Sequence, residues 1–206
     1  MEITMDNEVQ IKNLNKAFGK NPVLVNLNMN FPKNKITVIT GPSGCGKTTL
    51  LNIMSGIEKQ DSGEVLMSDK SISYIFQEDR LLPHFTVYQN IAFVLNSTMT
   101  PTEMKPVIEK YLALVKLMEA KDKYPSQLSG GMKRRVAIAR AFTYKSRLLL
   151  MDEPFKGLDD KLKKEIIEEF LRIYREDTRT VILVTHDMEE AKLLGDTIYT
   201  LNSHPL

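Results

Sequence analysis

A glycine-rich loop between an apolar segment and a helical pattern constrains the fold of this chain more than any other feature. Residues 41–48 read GPSGCGKT and fit the pattern G-x-x-x-x-G-K-[ST]. The apolar segment 36–40 predicts a buried strand before the loop, and the apolar spacing after it predicts a helix that ends at Gly56. In such a unit, backbone N–H groups and the positive end of the helix dipole face an anion. The loop therefore predicts phosphate binding, and a chance glycine-rich turn is the alternative.

Individual positions of this loop have predicted parts in holding the phosphates. Lys47 is expected to reach the β- and γ-phosphates, and the Thr48 hydroxyl to bind Mg²⁺. Cys45 lies inside the loop, where a small filler side chain is favoured over a redox-active thiol. The predicted cradle consists of Gly41, Pro42, Ser43, Gly44, Cys45, Gly46, Lys47, Thr48 and Thr49.

The rest of the chain alternates predicted strands and helices. Further strands are predicted at 9–16, 24–31, 148–151 and 180–184, and further helices at 86–96, 101–118, 129–144 and 159–175. Alternation of this kind is typical of an α/β fold with a parallel sheet. Because the 206 residues contain no Pro/Gly/Ser-rich linker, one domain is expected.

Polar side chains follow three of the predicted strands. Asp152 and Glu153 end one apolar strand, His186 follows another, and Gln77 follows the short segment YIF. The carboxyl ends of strands in open α/β sheets face the ligand crevice. Asp152 is suited to hold Mg²⁺ through water, and Glu153 to orient or deprotonate the attacking water. The alternatives are two acids that begin a loop, and a histidine and a glutamine with structural hydrogen bonds.

A second anion-binding helix start lies far along the chain. Ser129, Gly130 and Gly131 come immediately before a predicted helix. One compact domain has no need of two such sites on one γ-phosphate. The pair therefore predicts two copies of the chain that share nucleotides head-to-tail.

At this point the sequence resembles the ATP-binding cassette (ABC) family over nearly its whole length. The family's elements occur in the family's order at Phe18, 41–48, Gln77, 128–131, Asp152-Glu153, Asp159 and His186. The resemblance implies an α/β P-loop NTPase fold with an antiparallel β subdomain and an inserted α-helical subdomain. Residues 1–206 would form one ABC ATPase domain, with core and β subdomain at 1–77 and 145–206 and the helical subdomain at 78–144.

The resemblance also implies roles for residues around the γ-phosphate. Gln77 would touch Mg²⁺ and the attacking water, Glu153 would be the general base, and His186 would contact the γ-phosphate. Phe18 would stack on adenine, although an ordinary core position is the alternative for this aromatic.

Other implied roles concern a second copy of the chain. Ser129, Gly130 and Gly131 would close over ATP held by the opposite protomer, and Asp159 would lie at the dimer interface. Met132 stands where the family often has glutamine, and Lys156 where it often has serine or threonine. The catalytic groups are intact, so an active ATPase is expected, and the two departures bear on dimer closure.

The size of the helical insertion favours a transporter. Leu128 comes only 51 positions after Gln77, whereas cassettes of DNA repair carry long insertions. The stretch QEDRLLP at 77–83 resembles importer cassettes of the nitrate, sulfonate, taurine and thiamine-precursor group. The implied partners are a second cassette with ATP at the interface, membrane permease subunits and a substrate-binding protein. The implied location is peripheral, on the cytoplasmic face of the cell membrane; a non-transport complex of the lipoprotein-release or cell-division type is the alternative.

Charge and composition bear on the other functions that the chain could have. The net charge of +2 conceals balances of 0 over residues 1–100, +7 over 101–147 and −5 over 148–206. The basic segment favours solvated helix faces over a nucleic-acid surface, so no nucleic acid is expected. A small-molecule kinase would share the phosphate loop but has no use for LSGG at 128–131. The first residues lack a secretory pattern, and no apolar stretch approaches the roughly 18 residues of a membrane span.

Overall fold

The chain divides into two compact units, which are described separately. The structure is a computed structural model that describes residues 6–202. The first unit comprises Met1–Tyr74, Arg147–Glu153 and Arg179–Leu206, and the second comprises Ile75–Ser146 and Pro154–Thr178. The second unit contains the predicted helical subdomain 78–144, and it also takes in the helix after Asp159, which the sequence analysis placed with the core.

An antiparallel sheet of three strands opens the first unit. Strands β1 (Asn7–Phe18), β2 (Asn21–Pro32) and β4 (Ser62–Met67) have the order β2-β1-β4. The register between β1 and β2 shifts at bulges where Asn13 and Asn26 have φ of 48°. Asparagine tolerates this left-handed conformation better than most residues, and the Asn15 side chain accepts a hydrogen bond from Asn26 N at 2.8 Å.

A five-stranded sheet carries the candidate site. Its order is β5-β6-β7-β3-β8, with β3 parallel to β7 and β8, and β6 parallel to β7. The bounds are β3 (Ile36–Thr40), β5 (Ile72–Ile75), β6 (Leu148–Asp152), β7 (Thr180–Val184) and β8 (Thr197–Thr200). Every residue of β3, β6 and β7 is buried, as expected of central strands in a parallel sheet.

Helices and strands of the first unit share one apolar core. The helices of this unit are α1 (Lys47–Met54) and α6 (Met188–Leu194). The core includes Val9, Ile11, Leu14, Phe31, Ile39, Leu50, Leu51, Leu148, Leu150, Ile182 and Val184. Burial of α1 against this core fixes the helix that begins at the end of the glycine-rich loop.

The second unit is helical. It contains α2 (Val87–Ala92), α3 (Pro101–Leu114), α4 (Gly130–Thr143) and α5 (Asp160–Glu176). The Phe170 ring of α5 meets Phe142 of α4 edge to face, with ring centroids 5.8 Å apart, and meets Phe155 at 6.4 Å. These buried aromatic contacts hold α4 and α5 together.

The sequence-based elements are confirmed in type, and several boundaries differ. Helix α2 ends at Ala92 instead of residue 96, and α3 ends at Leu114 instead of residue 118. Lys116 has φ of 56°, and Leu117 N turns back to Leu112 O at 2.8 Å, which closes α3 early. Within residues 6–202 the structure contains no helix that is long and apolar enough to cross a membrane. The predicted α/β fold with an antiparallel sheet, a parallel sheet and a helical part is confirmed.

Candidate functional site

The glycine-rich loop joins the buried strand β3 to helix α1. Gly41 has φ of +145°, and a Cβ there would overlap the carbonyl oxygen of Leu201, so only glycine fits this close approach. The Lys47 ammonium donates to the carbonyl oxygens of Gly41 at 2.7 Å and Pro42 at 2.8 Å. The loop backbone and the Lys47 charge are thus concentrated at the N-terminus of α1, as phosphate binding requires. Pro42, Ser43 and Gly44 are exposed, whereas Cys45 and Gly46 are buried.

Two oxygen ligands that suit Mg²⁺ meet beside this loop. The Thr48 hydroxyl donates to Asp152 Oδ1 at 3.2 Å, which joins the first turn of α1 to the end of β6. Mg²⁺ commonly takes one or two protein oxygens and completes its shell with waters and phosphate oxygens. Residues 6–202 contain no group of three or more His, Cys, Asp or Glu that could hold a metal ion. The Thr48 hydroxyl and the Asp152 carboxylate are thus two oxygen donors of the kind that Mg²⁺ takes from a protein.

Glu153 and His186 lie at the carboxyl ends of the neighbouring strands β6 and β7. Glu153 Oε1 is 3.2 Å from His186 Nδ1, and Glu153 N donates to Val184 O at 2.9 Å. Glu153 is buried and has φ of 43°, a conformation that costs of order 1–3 kcal/mol for a residue with a side chain. The His186 side chain is 53% exposed. The turn after β6 thus directs a carboxylate to a histidine that solvent and ligands can reach.

Phe18 ends β1 and is 49% exposed, so the alternative of an ordinary core position is wrong. The Lys16 ammonium lies 5.0 Å from the centroid of its ring. Lys16 also bonds Glu58 and the Lys59 carbonyl, both at 2.8 Å. The hydrogen bond to Glu58 raises the pKa of Lys16, and the partial burial of the ammonium opposes this effect. An exposed ring beside a fixed cation is suited to stack on a flat aromatic ligand.

Gln77 lies in the second unit, two residues after β5, and its backbone is held by helix α4. Arg134 donates to the carbonyls of Phe76 at 3.0 Å and Gln77 at 2.6 Å. Sequence reasoning missed Arg134 and Arg140 as contacts of this loop. The only signal available was the run of six basic residues between 128 and 147.

The segment 128–131 adopts the predicted helix start in the second unit. Ser129 Oγ accepts from Met132 N at 3.3 Å and caps α4, and Ser129 and Gly130 are exposed. Gly131 is buried against α5, where a Cβ would lie 2.5 Å from a Leu162 methyl carbon. Asp159 caps α5, and its Oδ1 accepts from Leu162 N at 3.0 Å. Gly131 and Asp159 thus have structural roles within this chain in addition to any role at a dimer interface.

Most arginines of the basic segment 128–147 have acceptors within the described part of the chain. Arg135 pairs with Glu165 at 3.2 Å and Glu169 at 3.0 Å, and Arg147 pairs with Asp69 at 3.4 Å. Arg134 pairs with Asp79 at 3.1 Å, and Arg140 donates to the carbonyls of Asp79 and Arg80. Four of the six basic side chains of this segment therefore have acceptors within their own unit. Arg134, Arg135 and Arg147 form ion pairs with carboxylates, whereas Arg140 bonds neutral carbonyl oxygens.

Comparison with protein families agrees with this geometry. The model of the family described as ABC transporter matches residues 24–156. The chain is 39% identical over 209 residues to a sulfate/thiosulfate import ATP-binding protein of Acinetobacter baylyi, covering 94% of this chain and 59% of that protein. It is 42% identical over 206 residues to a spermidine/putrescine import ATP-binding protein of Thermotoga maritima, covering 95% of this chain and 56% of that protein. The chain therefore spans less than two thirds of the length of these curated relatives.

Solved structures with the same fold cover almost the whole chain. The structure of cbiO1 from Clostridium perfringens, part of the ABC transporter complex cbiONQ, matches with a TM-score of 0.87 and 28% identity. That match covers 97% of this chain and 88% of cbiO1. The dimeric structure of MJ0796, a bacterial ABC transporter cassette, matches with a TM-score of 0.83 and 30% identity, over 95% and 94% of the two chains.

Proposed function

Because this chain belongs to the ABC transporter family, we propose that it is a Mg²⁺-dependent ATPase that powers transport across a membrane. The proposal rests on two side-chain contacts at the carboxyl ends of strands in the parallel sheet. There the Thr48–Asp152 contact of 3.2 Å and the Glu153–His186 contact of 3.2 Å lie at the ends of the adjacent strands β6 and β7. Oxygen donors for Mg²⁺ beside a carboxylate that can activate water suit the hydrolysis of a bound nucleotide.

ATP is proposed to bind along the loop 41–49, with adenine on the exposed ring of Phe18. The Lys47 ammonium now donates to two loop carbonyls, and charged phosphate oxygens are stronger acceptors than these carbonyls. On this proposal Lys47 transfers to the β- and γ-phosphates when ATP binds. Thr48 and Asp152 would hold Mg²⁺, which would supply positive charge beside the phosphate oxygens.

Hydrolysis is proposed to use Glu153 as general base. A water oxygen attacks the γ-phosphorus, the bond to the β–γ bridging oxygen breaks, and the water proton passes to the Glu153 carboxylate. His186 contacts the γ-phosphate and holds the Glu153 side chain in place. Gln77 is proposed to touch Mg²⁺ and the attacking water, as the family resemblance implies.

Two copies of the chain are proposed to enclose two ATP molecules. Ser129 and Gly130 are exposed at the N-terminus of α4, where a helix start favours an anion. In a head-to-tail pair this surface would meet ATP held by the other copy, and Asp159 would lie near the interface. The dimeric structure of MJ0796 supports this proposal by fold similarity.

The proposed partners are membrane permease subunits and, for import, a substrate-binding protein, with the cassette at the cytoplasmic face of the cell membrane. Relatives named for sulfate/thiosulfate and spermidine/putrescine import support an importer. The finer assignment to the nitrate, sulfonate, taurine and thiamine-precursor group rests on 77–83 alone. A cassette of a lipoprotein-release or cell-division complex remains the second candidate, and identification of the membrane protein that co-purifies with the chain separates the two.

The ATPase proposal is tested by phosphate release from the purified chain. We expect ATP to be converted to ADP and inorganic phosphate only with Mg²⁺, and Lys47→Ala and EDTA to abolish the reaction. Lys12→Ala, on β1 outside the loop, is the control and keeps wild-type turnover. Transfer of the γ-phosphate to a small-molecule acceptor, or failure of the folded wild type to bind ATP, would overturn the proposal.

A further inference from the structure

The loop that follows β5 is held by two guanidinium groups from helix α4. Arg134 donates to the carbonyl oxygens of Phe76 and Gln77, at 3.0 and 2.6 Å. Arg140 donates to those of Asp79 and Arg80, at 3.1 and 3.0 Å. Four of the five carbonyls of residues 76–80 thus accept hydrogen bonds from one helix. We call residues 76–80 the Gln77 loop.

Arg134 is a buried contact of this loop. Its guanidinium also pairs with Asp79 at 3.1 Å, and Arg134 is only 5% exposed. Burial lowers the pKa of Arg134, and the nearby Asp79 carboxylate partly offsets this effect. A buried guanidinium with two carbonyl acceptors and one ion pair has little freedom, because loss of either carbonyl bond leaves a buried N–H group unpaired.

The Gln77 loop also folds onto itself. The Arg80 guanidinium carbon lies 3.9 Å from the centroid of the Phe76 ring, and Arg80 has φ of 43°. The two ends of the loop are therefore joined by this stacking contact, while α4 holds the carbonyls between them. A shift of α4 along its axis would move the Gln77 backbone with it.

Helix α4, which holds the Gln77 loop, begins at the cap formed by Ser129. Arg134 lies one and a half turns after Ser129, whose hydroxyl caps the helix. The helix start and the Gln77 loop are therefore attached to one rigid element within the second unit. Arg135, the next residue, contacts Glu165 and Glu169 of α5 and does not bond the Gln77 loop in any described contact.

We propose that Arg134 is a positioning residue that sets the place of Gln77 for the Mg²⁺-dependent step of ATP hydrolysis. The inference rests on the proposed ATPase function and extends it, because Arg134 touches neither nucleotide nor metal in this proposal. It acts through the Gln77 carbonyl, so its effect exists only while the Gln77 side chain is present. Arg140 supports the far end of the loop and contributes less, since it bonds no atom of Gln77.

The experiment measures kcat, KM for ATP and the Mg²⁺ concentration for half-maximal turnover in Arg134→Met, with Gln77→Ala and the double variant. A small misplacement of a reacting group costs up to about 10²-fold in rate. We expect Arg134→Met to lower kcat about 10- to 100-fold and to raise the Mg²⁺ requirement, with little change in KM for ATP. In the Gln77→Ala background, Arg134→Met is expected to change neither kcat nor the Mg²⁺ requirement further.

Arg135→Met is the matched control, because it removes a neighbouring guanidinium and its ion pairs from the same helix. It is expected to lower Tm without changing the Mg²⁺ requirement. Arg134→Lys keeps the charge beside Asp79 but loses the forked donor, so it should give the same changes to a smaller extent, and it serves if Arg134→Met does not fold.

The results separate failure of this inference from failure of the ATPase proposal. If the wild type hydrolyses ATP but Arg134→Met lowers Tm alone, or lowers kcat equally with and without Gln77, then Arg134 is not a positioning residue. If the folded wild type hydrolyses no ATP at all, the ATPase proposal itself fails.

Discussion

Glu153 has an unusual backbone conformation, and its carboxylate lies beside His186. Its φ of 43° turns the chain at the end of β6, its amide bonds Val184 O, and its carboxylate lies 3.2 Å from His186. A positive φ is unfavourable for a residue with a side chain, and contacts with the surrounding sheet must offset this free-energy cost. Such strain at a strand end, beside a candidate metal pair, is consistent with a role in chemistry.

Replacement of Glu153 by glutamine tests this role. We expect ATP to bind with little change in affinity and turnover to fall about 10²- to 10⁴-fold, the range for loss of a general base. Glu189→Gln, at an exposed side chain on α6, is the matched control and should keep wild-type turnover. Phosphate release and nucleotide binding are measured on the same samples, and wild-type turnover in Glu153→Gln would rule out this residue as the base.

Position 41 requires glycine because of its positive φ and because the Leu201 carbonyl leaves no space for a Cβ. Its φ is +145°, and a Cβ would meet the Leu201 carbonyl, whereas Gly44 has φ of +82° and open space around a Cβ. Each positive φ costs of order 1–3 kcal/mol for alanine. Only Gly41→Ala must also displace backbone.

We therefore expect Gly41→Ala to lower the free energy of unfolding more than Gly44→Ala does. Urea titration of both variants and the wild type measures the difference without reference to ATP turnover. Equal losses would show that φ alone determines the cost and that the approach to Leu201 is unimportant.

At the scale of elements, the Asp79 carboxylate of the Gln77 loop pairs with Arg134 of α4. Its protonation is therefore expected to affect the free energy of unfolding. Burial raises the pKa of Asp79 above its ordinary value of 3.8, and the charges of Arg134, Lys133 and Arg140 oppose this. Between 3.8 and the raised value, the folded chain holds a proton that the unfolded chain has released. Through this window the stabilising contribution of Asp79 falls as pH rises.

The variant Asp79→Asn tests this direction because asparagine does not titrate. The free energy of unfolding of the wild type minus that of Asp79→Asn should increase as pH falls from neutral toward 3.8. Chemical denaturation of both proteins at several pH values measures this difference. A difference that decreases over the same range would contradict the raised pKa.

Elements with strong local signals were predictable from the sequence, and those that depend on distant partners were not. The continuous apolar runs of β3, β6 and β7 predicted central strands, and Ser129 and Asp159 predicted the starts of α4 and α5. Strand β4 was missed because it is only partly buried and owes its place to pairing with β1. The short elements α6 and β8 were missed as well, because four to seven residues give too little periodicity.

The candidate site shows the same division. The motif residues of the phosphate loop and the acids after β6 could be named from sequence, because their residue types and their places at strand ends carry the chemistry. The hold of Arg134 and Arg140 on the Gln77 loop spans about sixty positions of sequence and depends on tertiary packing. No local pattern distinguishes Arg134 from Arg135, although one contacts the Gln77 loop and the other contacts α5.

At the scale of the whole molecule, the uneven charge along the chain has a structural explanation. The balance of +7 over 101–147 includes arginines whose acceptors lie on α5, on the Gln77 loop and on Asp69. The acidic balance over 148–206 includes Glu165 and Glu169, which receive Arg135. The two segments therefore partly neutralise each other through these ion pairs, whereas the sequence analysis favoured helix faces with solvated charges.

We propose that two copies of this cassette close on ATP, and sedimentation of Glu153→Gln tests this dimerisation most directly. With Mg²⁺ and ATP the particle is predicted to double from its chain mass of 23.5 kDa, and with ADP it should return to the single chain. Ser129→Arg in the same background should still bind ATP and stay single, because the added side chain occupies the exposed helix start. A Glu153→Gln chain that binds ATP and remains at 23.5 kDa at all protein concentrations would contradict the claim.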